Sequence, residues 1–341
     1  MNQKRLLKAL KYIASVSFAG TILYLLFKNQ DLAKLIDELQ KVDGKWVILS
    51  MIFGGWAIVN RGLRWVVLID ALGYKSSKWN SVSAVAVLYF TNLFIPRAGE
   101  VSRCTALSQV EKIPLNKLIG TILIERVIDF CFLFALIFLT IILKFNDLLN
   151  FYSSIKSQNT NSTNWNTIIL TLFIITIFIA TFFILKKQLK KSAFYDKILT
   201  FIDGLKEGFK SIQKIKQKSK FWFHTFSIWI MYFLMTYVCF FSMMETSHLS
   251  AVDGLFILVI GGIGMIIPTP GGIGSYHAIV MVGLSVLGVG TIFLGDGGDS
   301  SNPALLFPTI VHATQTIGAL IMGSTGLLIL FFSNKDKNVK S

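Results

Sequence analysis

From Phe221 to Asn334 the chain has no lysine and no arginine, although its net charge is +15. Basic residues held apart in this way do not describe a nucleic-acid binder, which needs a contiguous basic surface. Positive charge kept at one face of a membrane explains the pattern better. Charge of either sign is scarce, at 15% of the residues, where soluble domains carry about 25%. Hydrophobic residues make up 53%. These proportions point to an all-α polytopic membrane protein. The three cysteines, Cys104, Cys131 and Cys239, lie far apart and suggest neither a disulfide framework nor a metal site. There is no Walker loop, no H-E-x-x-H, no G-x-S-x-G and no dinucleotide fingerprint. An ATP-driven pump and soluble-type catalysis are therefore not expected, nor is any cofactor.

Long apolar runs are plentiful. They cover Tyr12–Phe27, Trp46–Leu72, Ser81–Pro96, Leu115–Leu143, Trp165–Leu185, Phe221–Met244, Gly254–Val289 and Leu305–Phe332. Residues 1–341 read as a single integral membrane domain. Lys4, Arg5, Lys8 and Lys11 precede the first run, and no small-x-small cleavage site follows it, so a retained first helix is expected. Leu32, Leu35, Ile36 and Leu39 recur at helical spacing within Asp31–Lys45, which reads as an interfacial helix. Lys186–Lys220 holds eleven lysines against Asp196, Asp203 and Glu207. Phe194, Ile198, Phe201, Ile202 and Leu205 give it an apolar stripe, so it is expected either on the anionic membrane surface or as a solvated basic loop.

Orientation follows from the basic loops. The N-terminus, the Arg61–Lys78 region, Lys186–Lys220 and the Lys335–Lys340 tail are expected in the cytoplasm. The Asn146–Asn164 loop and the Gly290–Ala304 loop are expected outside, and Gly290 is expected to tolerate a larger residue. Parity then requires Ser81–Pro96 to return through Ala98–Ile113 to the side it entered from. Gly254–Val289 must likewise begin and end outside. About six spanning helices remain, with two hairpin or re-entrant segments entering from opposite faces. Each turns at an Ile-Pro pair, Ile95-Pro96 and Ile267-Pro268. An inverted-topology repeat with a site between its halves would give this arrangement.

The second turn, Pro268-Thr-Pro-Gly-Gly-Ile273, interrupts a run with no Asp, Glu, Lys or Arg. Irregular backbone survives in lipid only within protein or beside a water-filled cavity. Pro268, Pro270, Gly271, Gly272 and Gly274 are therefore candidate site residues, with the glycines giving backbone freedom or close approach. His277 follows them as a candidate proton relay or phosphate ligand, or as a plain hydrogen-bonded histidine. His312 reads as packing. Asp296 and Asp299 read as a solvated turn, and Asn161-Ser-Thr163 matches a glycosylation sequon.

Charged residues inside apolar segments form the other candidate set. Arg97, Glu100 and Arg103 are spaced three apart, and Glu125 and Asp129 four apart with Arg126 beside them. Arg61 and Arg64 sit near the end of the second run. An ion at the bilayer centre costs about 2.5–3.5 kcal/mol on insertion scales. Two readings meet that cost. The carboxylates neutralise Arg64, Arg97 or Arg103 and lock helices together. Alternatively an arginine stays available to an anionic headgroup, because a guanidinium fork binds two phosphate oxygens at once.

Arg64-Trp65, Ile95-Pro96-Arg97-Ala98-Gly99-Glu100 with Arg103, Glu125-Arg126-Val127-Ile128-Asp129 and Pro268 to Gly274 occur in that order. In these residues the chain resembles the lysylphosphatidylglycerol synthase transmembrane-domain family, also called flippase-like membrane proteins. The resemblance implies a helical domain that moves or binds lipids with polar headgroups. Some members are fused to a cytosolic aminoacyl-transferase domain; this sequence shows none, so aminoacylation is not expected. Family members often carry Glu where His277 stands, so a carboxylate role is not carried over there. The expected function is a translocase or binding transporter for a phosphate-containing lipid, either a phospholipid or a polyprenyl-linked lipid, in a bacterial inner membrane. Alternatives are a membrane-embedded transferase using a lipid-linked substrate, or a non-transporting partner of a separate synthase.

Overall fold

In the computed structural model, residues 3–28, 32–158, 215–291 and 302–339 are described. Among them the regular structure is entirely helical. The helices are α1 (Gln3–Phe27), α2 (Leu32–Gln40), α3 (Gly44–Ala71), α4 (Lys78–Phe94), α5 (Gly99–Glu111) and α6 (Leu115–Leu143). They continue as α7 (Phe145–Gln158), α8 (Lys218–Cys239), α9 (Ala251–Ile266), α10 (Ser275–Val286) and α11 (Pro303–Val339). The chain divides into two compact units, Met1–Lys144 with Ile215–Ser341, and Phe145–Lys214. Helix α7 belongs to the second unit and the other helices to the first.

Four helices among the described residues are long and apolar enough to cross a membrane: Gly44–Ala71, Leu115–Leu143, Lys218–Ser242 and Pro303–Lys335. At about 1.5 Å per residue, each exceeds the roughly 30 Å hydrocarbon core. These four match the apolar runs Trp46–Leu72, Leu115–Leu143, Phe221–Met244 and Leu305–Phe332. The apolar part of α1, Tyr12–Phe27, falls below that length, and Trp165–Leu185 lies outside the described residues. So do Lys186–Lys214, Asp296, Asp299 and Asn161-Ser-Thr163.

Proline sets the two turns. A residue before proline is pushed out of the α region by the ring's Cδ. Ile95 (φ −123°, ψ 107°) and Ile267 (φ −68°, ψ 127°) obey this and end α4 and α9. Thr269 before Pro270 is extended as well (φ −105°, ψ 151°). The chain then turns back. α5 packs on α4, and α10 packs on α9. These helices have 17, 13, 16 and 12 residues, all short of the roughly 20 needed to span.

The ends of the hairpins are fastened locally. Ser250 and Asp253 form a capping box at the start of α9. Asp253 also pairs with Lys144, just beyond α6. At the other turn, Asn92 Oδ1 accepts the Gly99 N–H at 2.8 Å. α3 packs against α8 and α4, and α11 lies along α4. Small residues permit the close crossings, as is usual where lipid leaves packing to drive association.

Gly62 marks one of these close crossings, beside the charged residues. A Cβ there would lie 2.5 Å from Val82 Cα, which is backbone and cannot swing away. Gly62→Ala is expected to destabilise the protein by about 1–3 kcal/mol through overpacking, read as a lower melting temperature in detergent. An unchanged melting temperature would show that the α3–α4 crossing accommodates the extra methyl without cost.

Two expectations need correction. Asn146–Asn164 reads as a loop, yet Phe145–Gln158 is helical. Its Asn and Ser content hides a helical repeat of Leu148, Phe151, Tyr152 and Ile155, and Asp147 sits favourably in the first turn. Gly290 is not a tolerant loop position. It has φ +66°, and a Cβ would lie 2.2 Å from Asn302 Oδ1 and 2.8 Å from the Ala304 nitrogen. The α2 expectation holds as a helix over Leu32–Gln40.

Candidate functional site

The second half of α3 is buried on nearly every side, with Arg61, Gly62, Arg64, Trp65, Val67 and Leu68 all inside. Helical spacing puts Arg61 and Arg64 on one face. α5 contributes Glu100 and Arg103 from its first turns, and α6 contributes Glu125, Arg126 and Asp129 on adjoining turns. These seven residues form one cluster, about 15 Å along α6 from its start to Glu125.

Arg64 is fully buried and grips Asp129 with both terminal nitrogens, at 2.7 and 3.1 Å. Its Nε lies 3.6 Å from Glu125. Arg103, also fully buried, is bonded to Glu125. Arg103 Nε approaches Glu100 at 2.8 Å without the alignment of a hydrogen bond, and its guanidinium lies 4.6 Å from the Trp65 ring centroid. Trp65 is itself fixed by donating to Thr121 at 2.7 Å. Arg126 reaches Asp129 at 3.1 Å and Glu100 at 3.5 Å.

Arg61 is the least engaged. It lies 3.7 Å from Asp129, beyond hydrogen-bond range. One nitrogen, Nη1, donates to the Tyr89 hydroxyl at 2.8 Å and the Tyr232 hydroxyl at 3.3 Å. Its Nε and Nη2 are buried and have no hydrogen-bond partner. Four arginines thus face three carboxylates, and the cluster carries one surplus positive charge.

Arg97 does not join this cluster. The sequence places it three residues before Glu100, which suggests a shared helical face, but α5 begins only at Gly99. Arg97 lies in the turn with φ +61° and is exposed. Its guanidinium donates to the Ile266 carbonyl at 2.7 Å, the last residue of α9. A cation at a helix C-terminus is favourable. The two hairpin turns therefore meet: Gly271 lies against Leu93 near the end of α4.

Other side chains fill the remaining carbonyls of the broken segment. Ser15 of α1 donates to Pro268 O at 2.6 Å. His312 Nε2 lies 2.8 Å from the Gly271 carbonyl. A carbonyl only accepts, so Nε2 carries the hydrogen. Thr269 and Ser275 hydroxyls are 2.8 Å apart. Gly271, Gly272 and Gly274 have φ of +59°, +83° and +82°. His277 is buried beside His312, ring centroids 4.9 Å apart, and its Nδ1 has no partner.

The structure thus brings Arg64, Glu100, Arg103, Glu125, Arg126 and Asp129 together. It places Pro268, Pro270, Gly271, Gly272, Gly274 and His277 in a second group, joined to the first hairpin through Arg97. Tyr89 and Tyr232 join the site unannounced by any motif: they are two hydroxyls in apolar helices whose only signal is that a buried phenol needs a partner. His312, expected only to pack, holds the Gly271 carbonyl as well. No group of three or more His, Cys, Asp or Glu that could hold a metal ion occurs among the described residues.

The sequence model of the family described as "Lysylphosphatidylglycerol synthase TM region" matches residues 12–333. Over 111 residues the chain is 33% identical to the UPF0104 membrane protein MJ1595 of Methanocaldococcus jannaschii, covering 31% of this chain and 33% of that protein. The matched segment thus spans about a third of that relative's length. No solved structure matches.

Proposed function

We propose that this chain, which belongs to the lysylphosphatidylglycerol synthase TM region family, binds lipids with phosphate-containing headgroups and moves them across the bilayer. One observation carries the reading: a largely buried cluster with more arginine than carboxylate, set among helices long and apolar enough to cross a membrane. Ions inside a membrane are costly and are kept where they serve a pathway. A structural lock needs only balanced pairs, and Arg64–Asp129 with Arg103–Glu125 already supply two. The surplus guanidinium and its unpartnered donors suit an anionic ligand.

The meeting turns supply the second half of the scheme. Both hairpins are short, and their tips touch through Arg97 and Ile266. We place them as re-entrant segments from opposite faces, the halves of an inverted repeat. Headgroups pass along the polar interior between cluster and broken turn, while acyl chains stay in lipid. By the distribution of Lys and Arg, both termini face the cytoplasm, in a bacterial inner membrane. The substrate class spans phospholipids and polyprenyl-linked lipids.

The test is reconstitution of purified protein into liposomes containing a headgroup-labelled phospholipid. Transbilayer movement well above that of protein-free liposomes is expected. Binding of lipid with no movement, under any membrane potential or pH gradient, would overturn the transport reading.

A further inference from the structure

We infer that Arg61 and Arg126, on either side of Asp129, take one phosphodiester group that reaches them from the lipid-facing side of α6. The inference deepens the lipid reading above and rests on it.

Both arginines face the same carboxylate oxygen, which also accepts from Arg64 Nη2 at 3.1 Å. Asp129 Oδ2 lies 3.7 Å from Arg61 Nη2 and 3.1 Å from Arg126 Nη2. The two guanidiniums are therefore no further apart than one phosphate can bridge. They differ from their neighbours in being available. Arg64 and Arg103 are fully buried and engaged with Asp129 and Glu125. Arg61 keeps two buried nitrogens without a hydrogen-bond partner. Arg126 has 43% of its side chain exposed.

The hydroxyls beside Arg61 extend the site. Tyr89 and Tyr232 oxygens are 2.8 Å apart, so one phenol donates to the other. That leaves one phenolic hydrogen for an incoming oxygen. Phosphate oxygens favour such a set of donors, charged forks first and neutral hydroxyls second.

Direction of approach follows from α6. Ile119, Leu123, Phe134 and Phe138 are exposed on this helix. Arg126 falls three residues after Leu123 and eight before Phe134, so it shares their stripe at helical spacing. A basic group on an apolar, exposed stripe meets lipid before it meets water. A headgroup drawn down beside its own acyl chains arrives at Arg126 first and at Arg61 next, displacing Asp129 from the contacts it makes with both.

Charge selects the ligand. The cluster holds one surplus positive charge, which one phosphodiester neutralises. A phosphomonoester carries nearly two charges and would leave a net negative charge in the membrane.

The test is native mass spectrometry of the full chain in detergent, titrated with phosphatidylglycerol, phosphatidic acid or inorganic phosphate. Phosphatidylglycerol should bind more tightly than phosphatidic acid. Millimolar inorganic phosphate should not displace it. Arg61→Gln and Arg126→Gln should each weaken phosphatidylglycerol binding by at least about tenfold, equivalent to about 1.4 kcal/mol. Arg126 is half exposed, so its variant should fold even if the Arg61 variant does not. Tyr89→Phe should give a smaller loss. Equal affinity in the wild type and Arg126→Gln, or full displacement by inorganic phosphate, would overturn the inference. Transbilayer movement is read separately. Movement that survives Arg126→Gln removes this site and leaves the transport reading standing. Arginine-dependent binding without movement does the reverse.

Discussion

Arg64→Met is expected to lower stability by about 3 kcal/mol, the low end for removing one partner of a buried ion pair, because Arg126 still reaches Asp129 at 3.1 Å and Arg103 still holds Glu125. Arg64 is fully buried and holds Asp129 by two bonds, with Glu125 at 3.6 Å. No other arginine bonds Asp129 by both terminal nitrogens. Arg64→Lys should recover only part of the loss, because an ammonium cannot form the fork. Arg126→Met offers the comparison. Its ion pairs are half exposed, and such pairs contribute about 0–1 kcal/mol. Thermal unfolding followed by size-exclusion chromatography in detergent would measure all three. Similar shifts for Arg64→Met and Arg126→Met would show that burial does not set the cost at this cluster.

Gly272→Val is expected to abolish lipid movement while the protein still inserts in the membrane. Gly272 has φ +83°, a conformation that a β-branched residue adopts only under strain. A Cβ would also lie 2.2 Å from Met265 Sδ, although that side chain is flexible. Backbone strain is therefore the larger effect, of about 1–3 kcal/mol. It falls on the loop whose neighbouring carbonyl, at Gly271, is held by His312. Gly271 differs, with φ +59° and ψ 5° in the left-handed helical region. Asparagine visits that region readily, so Gly271→Asn should keep most of the movement. Liposome assays on both variants, normalised to inserted protein, decide the matter. Full movement in Gly272→Val would remove the broken turn from the mechanism.

Much of this was legible because it depends on local chemistry. Ile-Pro pairs end helices by steric exclusion, so both turns are visible at Ile95-Pro96 and Ile267-Pro268. Spacings of three and four predict that Glu100 faces Arg103 and that Glu125 shares a face with Asp129. Long-range partners follow a different logic. Nothing near Arg97 in the chain indicates the Ile266 carbonyl, which lies 169 residues away. The turn's left-handed residue takes Arg97 off the helical face that its spacing implied. Tyr89 and Tyr232 are separated by 143 residues and meet because both of their helices, α4 and α8, pack on α3. At Gly290 the crowding comes from Asn302 and Ala304 across a connection, which a composition reading treats as open loop.

We propose that the charged cluster handles lipid headgroups through Arg126 and does more than lock helices. The double variant Arg126→Leu with Glu100→Leu tests it most directly. It removes one charge of each sign, so the surplus of one positive charge is unchanged. The buried pairs Arg64–Asp129 and Arg103–Glu125 remain, and leucine suits the exposed stripe of α6. If the cluster only holds helices together, the folded variant should move lipid at the wild-type rate. A headgroup site that includes Arg126 predicts instead a well-folded protein whose lipid movement in liposomes falls to the protein-free level. Wild-type movement in the folded double variant would contradict that claim.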